Sequence, residues 1–112
     1  MLTREDCPEN VVAIKDALEA LEGRWKLLII LSLSTGKKRF KQISKEIHEI
    51  TDKMLSKELK ALEANKLIKR SVYDTFPPTV EYSITAHGMS LQKLLDELHQ
   101  CGLAHRKEVI GR

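Results

Sequence analysis

"SVYDTFPPTVEYSIT", residues 71–85, sets two alternating apolar–polar stretches on either side of two adjacent prolines. In the second stretch Val80, Tyr82 and Ile84 fall on one side of an extended chain, and Glu81, Ser83 and Thr85 on the other. Ile68 and Val72 join the apolar side from the first stretch. The pattern predicts a half-buried two-stranded ribbon with Phe76, Pro77 and Pro78 at its tip. Proline fixes φ and removes a backbone donor, so such a tip is pre-ordered and a poor edge for another strand.

Helical patterns surround this ribbon. Upstream, Thr51 is a good N-cap and Asp52 favours the positive end of a helix running to about Ala64, with Asn65 as its stop. Leu55, Leu59 and Leu62 form its buried stripe, with Met54 at the margin and Lys53, Ser56, Lys57 and Lys60 opposite. Before it, Phe40, Ile43 and Ile47 mark a short amphipathic helix starting near Arg39. Residues 24–34 are apolar nearly all round and end at Gly36, which predicts the central helix, with Trp25 in the core. A first helix follows the Asn10 cap to Leu21, and Gly23 breaks it. Downstream, Thr85 caps a last helix to about Lys107, striped by Leu91, Leu94, Leu95 and Leu98. A short helix, a turn and a second helix with basic residues outward is a helix-turn-helix, and a hairpin straight after it is a wing. The expected class is mainly α with a β-hairpin wing, in one domain spanning residues 1–112.

Composition agrees with that class. A chain of 112 residues is one domain's worth, and 42% hydrophobic with 4% aromatic residues means an aliphatic core. "MLTREDCPEN" has no secretory pattern, and "LLIILSL" is far shorter than the roughly 20 residues a bilayer needs, so no membrane partner and a cytoplasmic location are expected. Two cysteines make no disulfide scaffold. The net charge of +3 is unevenly spread: residues 37–70 carry 11 basic against 5 acidic residues, while both flanks are slightly acidic. A basic middle third is the electrostatic footprint of a polyanion binder, or else a solvated face.

Five stretches in order carry a resemblance: "CP" at 7–8, "GRWKLLIILSL" at 23–33, "RFKQI" at 39–43, "KMLSKELKALE" at 53–63 and "LIKRSVYDTFPPTVEYSIT" at 67–85, with "HGMSL" at 87–91 completing them. The chain resembles HxlR-type winged helix-turn-helix transcriptional regulators, a family related to the MarR group. The resemblance implies a homodimer held by residues 1–22 and 86–112. It implies a DNA-binding unit at 37–85, with one recognition helix in each major groove of a near-palindromic operator. The family's Trp-Gly near the end of the last helix is replaced here by Cys101-Gly102, which removes a large apolar contact from the expected dimer interface.

By position, Lys53, Ser56, Lys57 and Lys60 would face DNA, Ser56 being short enough for close approach. Alone, they read equally as a solubilising stripe. Thr51 and Gln42 are set to contact phosphate or bases, against plain capping and surface roles. Lys37, Lys38 and Arg39 would meet phosphates ahead of the short helix, Arg39 with an internal anchoring alternative. Lys69 and Arg70 open the wing on opposite faces. For Arg70, phosphate contact and a structural ion pair with an acid such as Glu81 both stay open. Pro77 and Pro78 would reach DNA at the wing tip. Cys7 precedes Pro8 at a helix start, a placement that favours thiolate, although Glu5, Asp6 and Glu9 oppose this. Some members of the resembled family sense oxidants through a matching cysteine, with Cys101 as a conceivable partner thiol. Cys101 and His105 share a helical face at zinc-binding spacing, but His99 lies about 200° from Cys101 around the axis, so a third ligand is missing and no metal or other cofactor is expected. No glycine-rich phosphate loop, zinc-protease motif or Ser-His-Asp arrangement points to an enzyme. The alternative to DNA binding is a winged helix that uses its basic face on an acidic protein.

Overall fold

The computed structural model describes residues 7–111, with side chains from residue 11 onward. Helix α1 spans Cys7–Leu21, α2 Lys26–Leu33, α3 Phe40–Glu46 and α4 Asp52–Ala64; strands β1 (Ile68–Tyr73) and β2 (Thr79–Ile84) follow, then α5 (Ala86–Met89) and α6 (Gln92–Val109). Ile29, Ile30 and Leu33 of α2 lie at the centre. Around them pack Ile43 of α3, Leu55, Leu59 and Leu62 of α4 and Ile68 of β1, all fully buried. The expected stripes of α2, α3 and α4 therefore close one aliphatic core, joined by Trp25 at 7% exposure. Helix α2 is less enclosed than its composition predicts, because Leu28 and Leu31 stay 42% and 50% exposed.

Local signals set the boundaries. The Thr51 hydroxyl accepts from the Met54 amide at 3.1 Å and starts α4. The Thr85 hydroxyl accepts from the Gly88 amide at 2.9 Å and starts α5. The single last helix expected from Thr85 onward is instead two. Gly88 sits against the backbone of Leu67, so close that an added Cβ would lie 2.2 Å from its carbonyl oxygen. The helical ladder tightens at Ser90 and Leu91, whose amides bond the His87 and Gly88 carbonyls, before α6 begins. That pressure of one backbone on another is a long-range event that no helical periodicity records.

The hairpin pairs Ile68 with Ile84, Arg70 with Tyr82, and Val72 with Val80. The expected partners do share a face, but burial does not alternate: every residue of β2 is partly buried, and in β1 Ser71 is more buried than Arg70 or Val72, the last 56% exposed. A third extended piece was missed. Lys38 pairs with Tyr82 through backbone hydrogen bonds of 2.9 and 2.8 Å, so β2 is bonded on both edges. No helix among the described residues is long and apolar enough to cross a membrane.

Candidate nucleic-acid interface

Helix α4 divides cleanly. Leu55, Glu58, Leu59 and Leu62 are buried, while Lys53, Lys57 and Lys60 are exposed and Ser56 is half-buried between the faces. A crevice of about 340 Å³ separates the outward face from the hairpin, lined by Ser56, Lys60, Glu63, Arg70 and Tyr82. Helix α4 and the hairpin thus meet along one groove, which carries Lys60 and Arg70, the carboxylate of Glu63 and the short Ser56.

Two charges missed from the sequence hold this helix in place. Lys26 Nζ donates to Glu58 Oε1 at 3.0 Å and to the Glu22 carbonyl at 3.3 Å, with both side chains nearly buried. The pair ties α4 to α2. Its signal was available: each residue is a lone charge inside an apolar stripe, where an ion survives only with a partner.

The remaining candidates separate by what their side chains touch. Lys38 is corrected. Its ammonium is bonded to Glu46 at 2.6 and 2.7 Å, to the Ser32 carbonyl at 2.5 Å and to the Thr35 hydroxyl at 3.0 Å, and its side chain is 13% exposed. It locks α3 to α2 and β2 rather than facing outward. Lys38 and the Ser32 hydroxyl hold the Glu46 carboxyl below its usual pKa by bonding its charged form. Gln42 Oε1 accepts from the Arg39 amide at 2.8 Å, so it caps α3. Arg39, Lys37, Lys69, Pro77 and Pro78 are exposed, Lys37 Nζ lying 4.0 Å from Glu81 Oε1. The suggested Arg70–Glu81 pair is also corrected: register sets Glu81 opposite Ser71, on the other side of the ribbon from Arg70. Thr51 is exposed but its hydroxyl is engaged as the cap. At the tip the Thr75 and Thr79 hydroxyls meet at 2.8 Å, and Phe76 is completely exposed. Lys41 and Lys45, absent from the sequence-based set, are exposed on α3.

Cys7 is the first residue of α1, and its side chain lies outside the described residues. Cys101 is an exposed thiol on α6. Among the described residues no three metal-ligating side chains converge, and His99, Cys101 and His105 are all exposed.

A buried core under a basic helix, followed by a hairpin, defines a winged helix-turn-helix. The chain belongs to the HxlR-like helix-turn-helix family, whose pattern matches residues 20–109. Its relatives are transcriptional regulators rather than enzymes. YtcD of Bacillus subtilis (strain 168), an uncharacterised HTH-type transcriptional regulator, is 39% identical over 100 residues, which are 89% of this chain and 79% of YtcD. The redox regulator HypR in its reduced form superposes with a TM-score of 0.82 at 31% identity, covering 89% of this chain and 99% of that one. Reduced YodB, a transcriptional regulator of B. subtilis, gives 0.73 at 33% identity, covering 97% and 95%.

Proposed function

We propose that this protein is a homodimeric, sequence-specific DNA-binding regulator of transcription. The carrying observation is the division of α4, whose lysines and Ser56 face outward beside Arg70 of the wing while Leu55, Leu59 and Leu62 anchor it from within. Lys53, Lys57, Lys60, Arg39, Lys37 and Lys69 meet phosphates or guanine edges, and the wing tip at Phe76, Pro77 and Pro78 reaches the flanking backbone. Lys38 is not part of this surface.

The dimer reading, with residues 1–22 and 86–112 as its arms, is supported by exposed apolar surface. Leu18 of α1 is 63% exposed and Leu94, Leu98 and Leu103 of α6 are 40–51% exposed. An apolar groove of about 730 Å³ runs between the two helices, lined by Ile14, Leu18, Leu94 and Leu98. The radius of gyration is 16.5 Å, against about 13 Å for a compact chain of this length. The accessible surface is 8648 Å², roughly 2,400 Å² more than a compact monomer of this mass shows. Over two protomers that excess is about 4,800 Å², within the range of obligate homodimer interfaces. Two recognition helices about 34 Å apart would then read a near-palindromic operator.

The deciding experiment is a salt titration of binding to duplex DNA from upstream of the protein's own gene. Affinity falling steeply with salt, and at least 10³-fold above that for unrelated duplex, is expected. Weak binding without sequence preference would favour an acidic protein partner instead. HypR is described in reduced and oxidised forms, and Cys7 opens α1 here, which favours a thiol switch as a second element of the reading. Diamide treatment should change operator affinity in the wild type and not in Cys7→Ser. Equal response of the two removes Cys7 from the switch.

A further inference from the structure

We propose that the cleft between α2 and the end of α3 is an effector site for a small, neutral, hydroxylated aromatic molecule. The cleft holds about 380 Å³, within the range of small-molecule pockets and enough for one or two rings. Its walls are Trp25, Leu28 and Leu31 of α2 and Ile47 just after α3. Leu28 and Leu31 also face α6 across a neighbouring cleft, with Leu95 and His99.

The floor is polar and already assembled, which fixes the ligand's chemistry. The three ammonium hydrogens of Lys38 are engaged by Ser32, Thr35 and Glu46. Glu46 accepts from Lys38 and from the Ser32 hydroxyl, yet a carboxylate offers about four lone-pair sites, and this one is 48% exposed. Among Ser32, Thr35, Lys38 and Glu46 the side-chain donors are committed and Glu46 keeps free acceptor sites, while His48 stands exposed at the mouth. Charge is balanced as well: Glu46 answers Lys38, and Arg24 at the rim bonds Glu49 at 3.0 Å while lying 4.5 Å over the Trp25 ring. Lys38 and Arg24 already have carboxylate partners, so an anion gains little from either, and an apolar helix of a second copy would cap polar groups without bonding them. A ring against Trp25 and the leucines, with a hydroxyl donating to Glu46, satisfies both walls and floor.

The site is placed to act on DNA binding. Ile47 and His48 lie between α3 and α4, so an occupant that bridges them to α2 biases the setting of the recognition helix. Only this last clause rests on the DNA-binding reading.

The test is an NMR titration of the full-length protein with 4-ethylphenol, without DNA. Trp25 is the sole tryptophan, so one indole resonance reports the wall directly. That resonance and the amides of Leu31, Thr35 and His48 should shift saturably. The methyl ether, 4-ethylanisole, should bind about ten-fold more weakly, since it loses the one donated hydrogen bond. Leu31→Gln should weaken 4-ethylphenol to a similar degree while the rest of the spectrum is kept, because Leu31 is half exposed. No saturable shift, shifts clustered instead at Leu18, Leu94 and Leu98, equal affinity for the ether, or an indole resonance that moves on dilution rather than with the probe would each overturn the site. Saturating probe should then change operator affinity at least three-fold at fixed salt; an unchanged affinity would overturn the effector role. Because the first titration contains no DNA, its failure is separate from a failure of the DNA-binding reading.

Discussion

Glu58 and Glu46 are both carboxylates bonded to lysine, and their surroundings give them opposite sensitivities. The Lys26–Glu58 pair is shielded, so removing one partner leaves an uncompensated charge among leucines. Glu58→Ala is expected to cost about 3–5 kcal/mol, whereas Lys26→Met with Glu58→Leu should stay within about 1 kcal/mol of wild type or exceed it, read by urea denaturation. Glu46 is half exposed, and its pKa is lowered by its bonds to Lys38 and Ser32. A lowered folded-state value contributes stability that is complete above the unfolded carboxylate pKa near 4.5 and disappears as pH falls through the folded one. The Tm gap between wild type and Glu46→Gln should therefore be constant near neutrality and close progressively in acid. A gap independent of pH would show that the loss is one of packing. At this scale sequence reading succeeded where a residue acts on its neighbours, as at Thr51 capping Met54. It misplaced Lys38, because that ammonium is satisfied by Ser32 and Glu46, whose positions depend on how two helices pack.

Helices and strands were more legible than their side-chain partners. The leucine stripe of α4 and the hairpin register follow from periods of 3.6 and 2 residues, which are local properties. The break between α5 and α6, and the close approach of Gly88 to the Leu67 carbonyl, leave no mark in the helical period. Gly88→Ala forces a methyl group onto that carbonyl and onto Ile84, and a loss of about 1–3 kcal/mol or more is expected by calorimetry. An unchanged Tm would mean that the α5–β1 approach relaxes freely. The wing tip should behave in the opposite way. Phe76 touches nothing that holds the fold, so Phe76→Ser should leave Tm within a degree or two and weaken operator binding. Loss of both together would make the tip a structural element. On α4, Lys57→Ala and Lys60→Ala should each flatten the salt slope by about one; slopes equal to wild type would remove them from the phosphate contacts.

As a whole the molecule is 57 Å long and 22 Å thin, and α1 and α6 add to its core only partly buried residues such as Leu21 and Leu95. Leu18→Lys places a charge in the apolar groove between them and should shift the sedimentation coefficient from dimer to monomer at micromolar concentration, with operator affinity falling at least 100-fold. A monomer that still binds a single half-site tightly would separate recognition from assembly. The Lys26–Glu58 bond has a mechanical meaning at this scale. It ties α4 to α2 at one point, so α4 follows the central block when that block moves as a unit. That block meets its arms at Gly23, with φ of 93°, at the turn through Ser90, and through Leu21 and Leu95 packed on the core. In the proposed homodimer, a rotation of the arms would therefore carry both α4 helices and change the spacing between them.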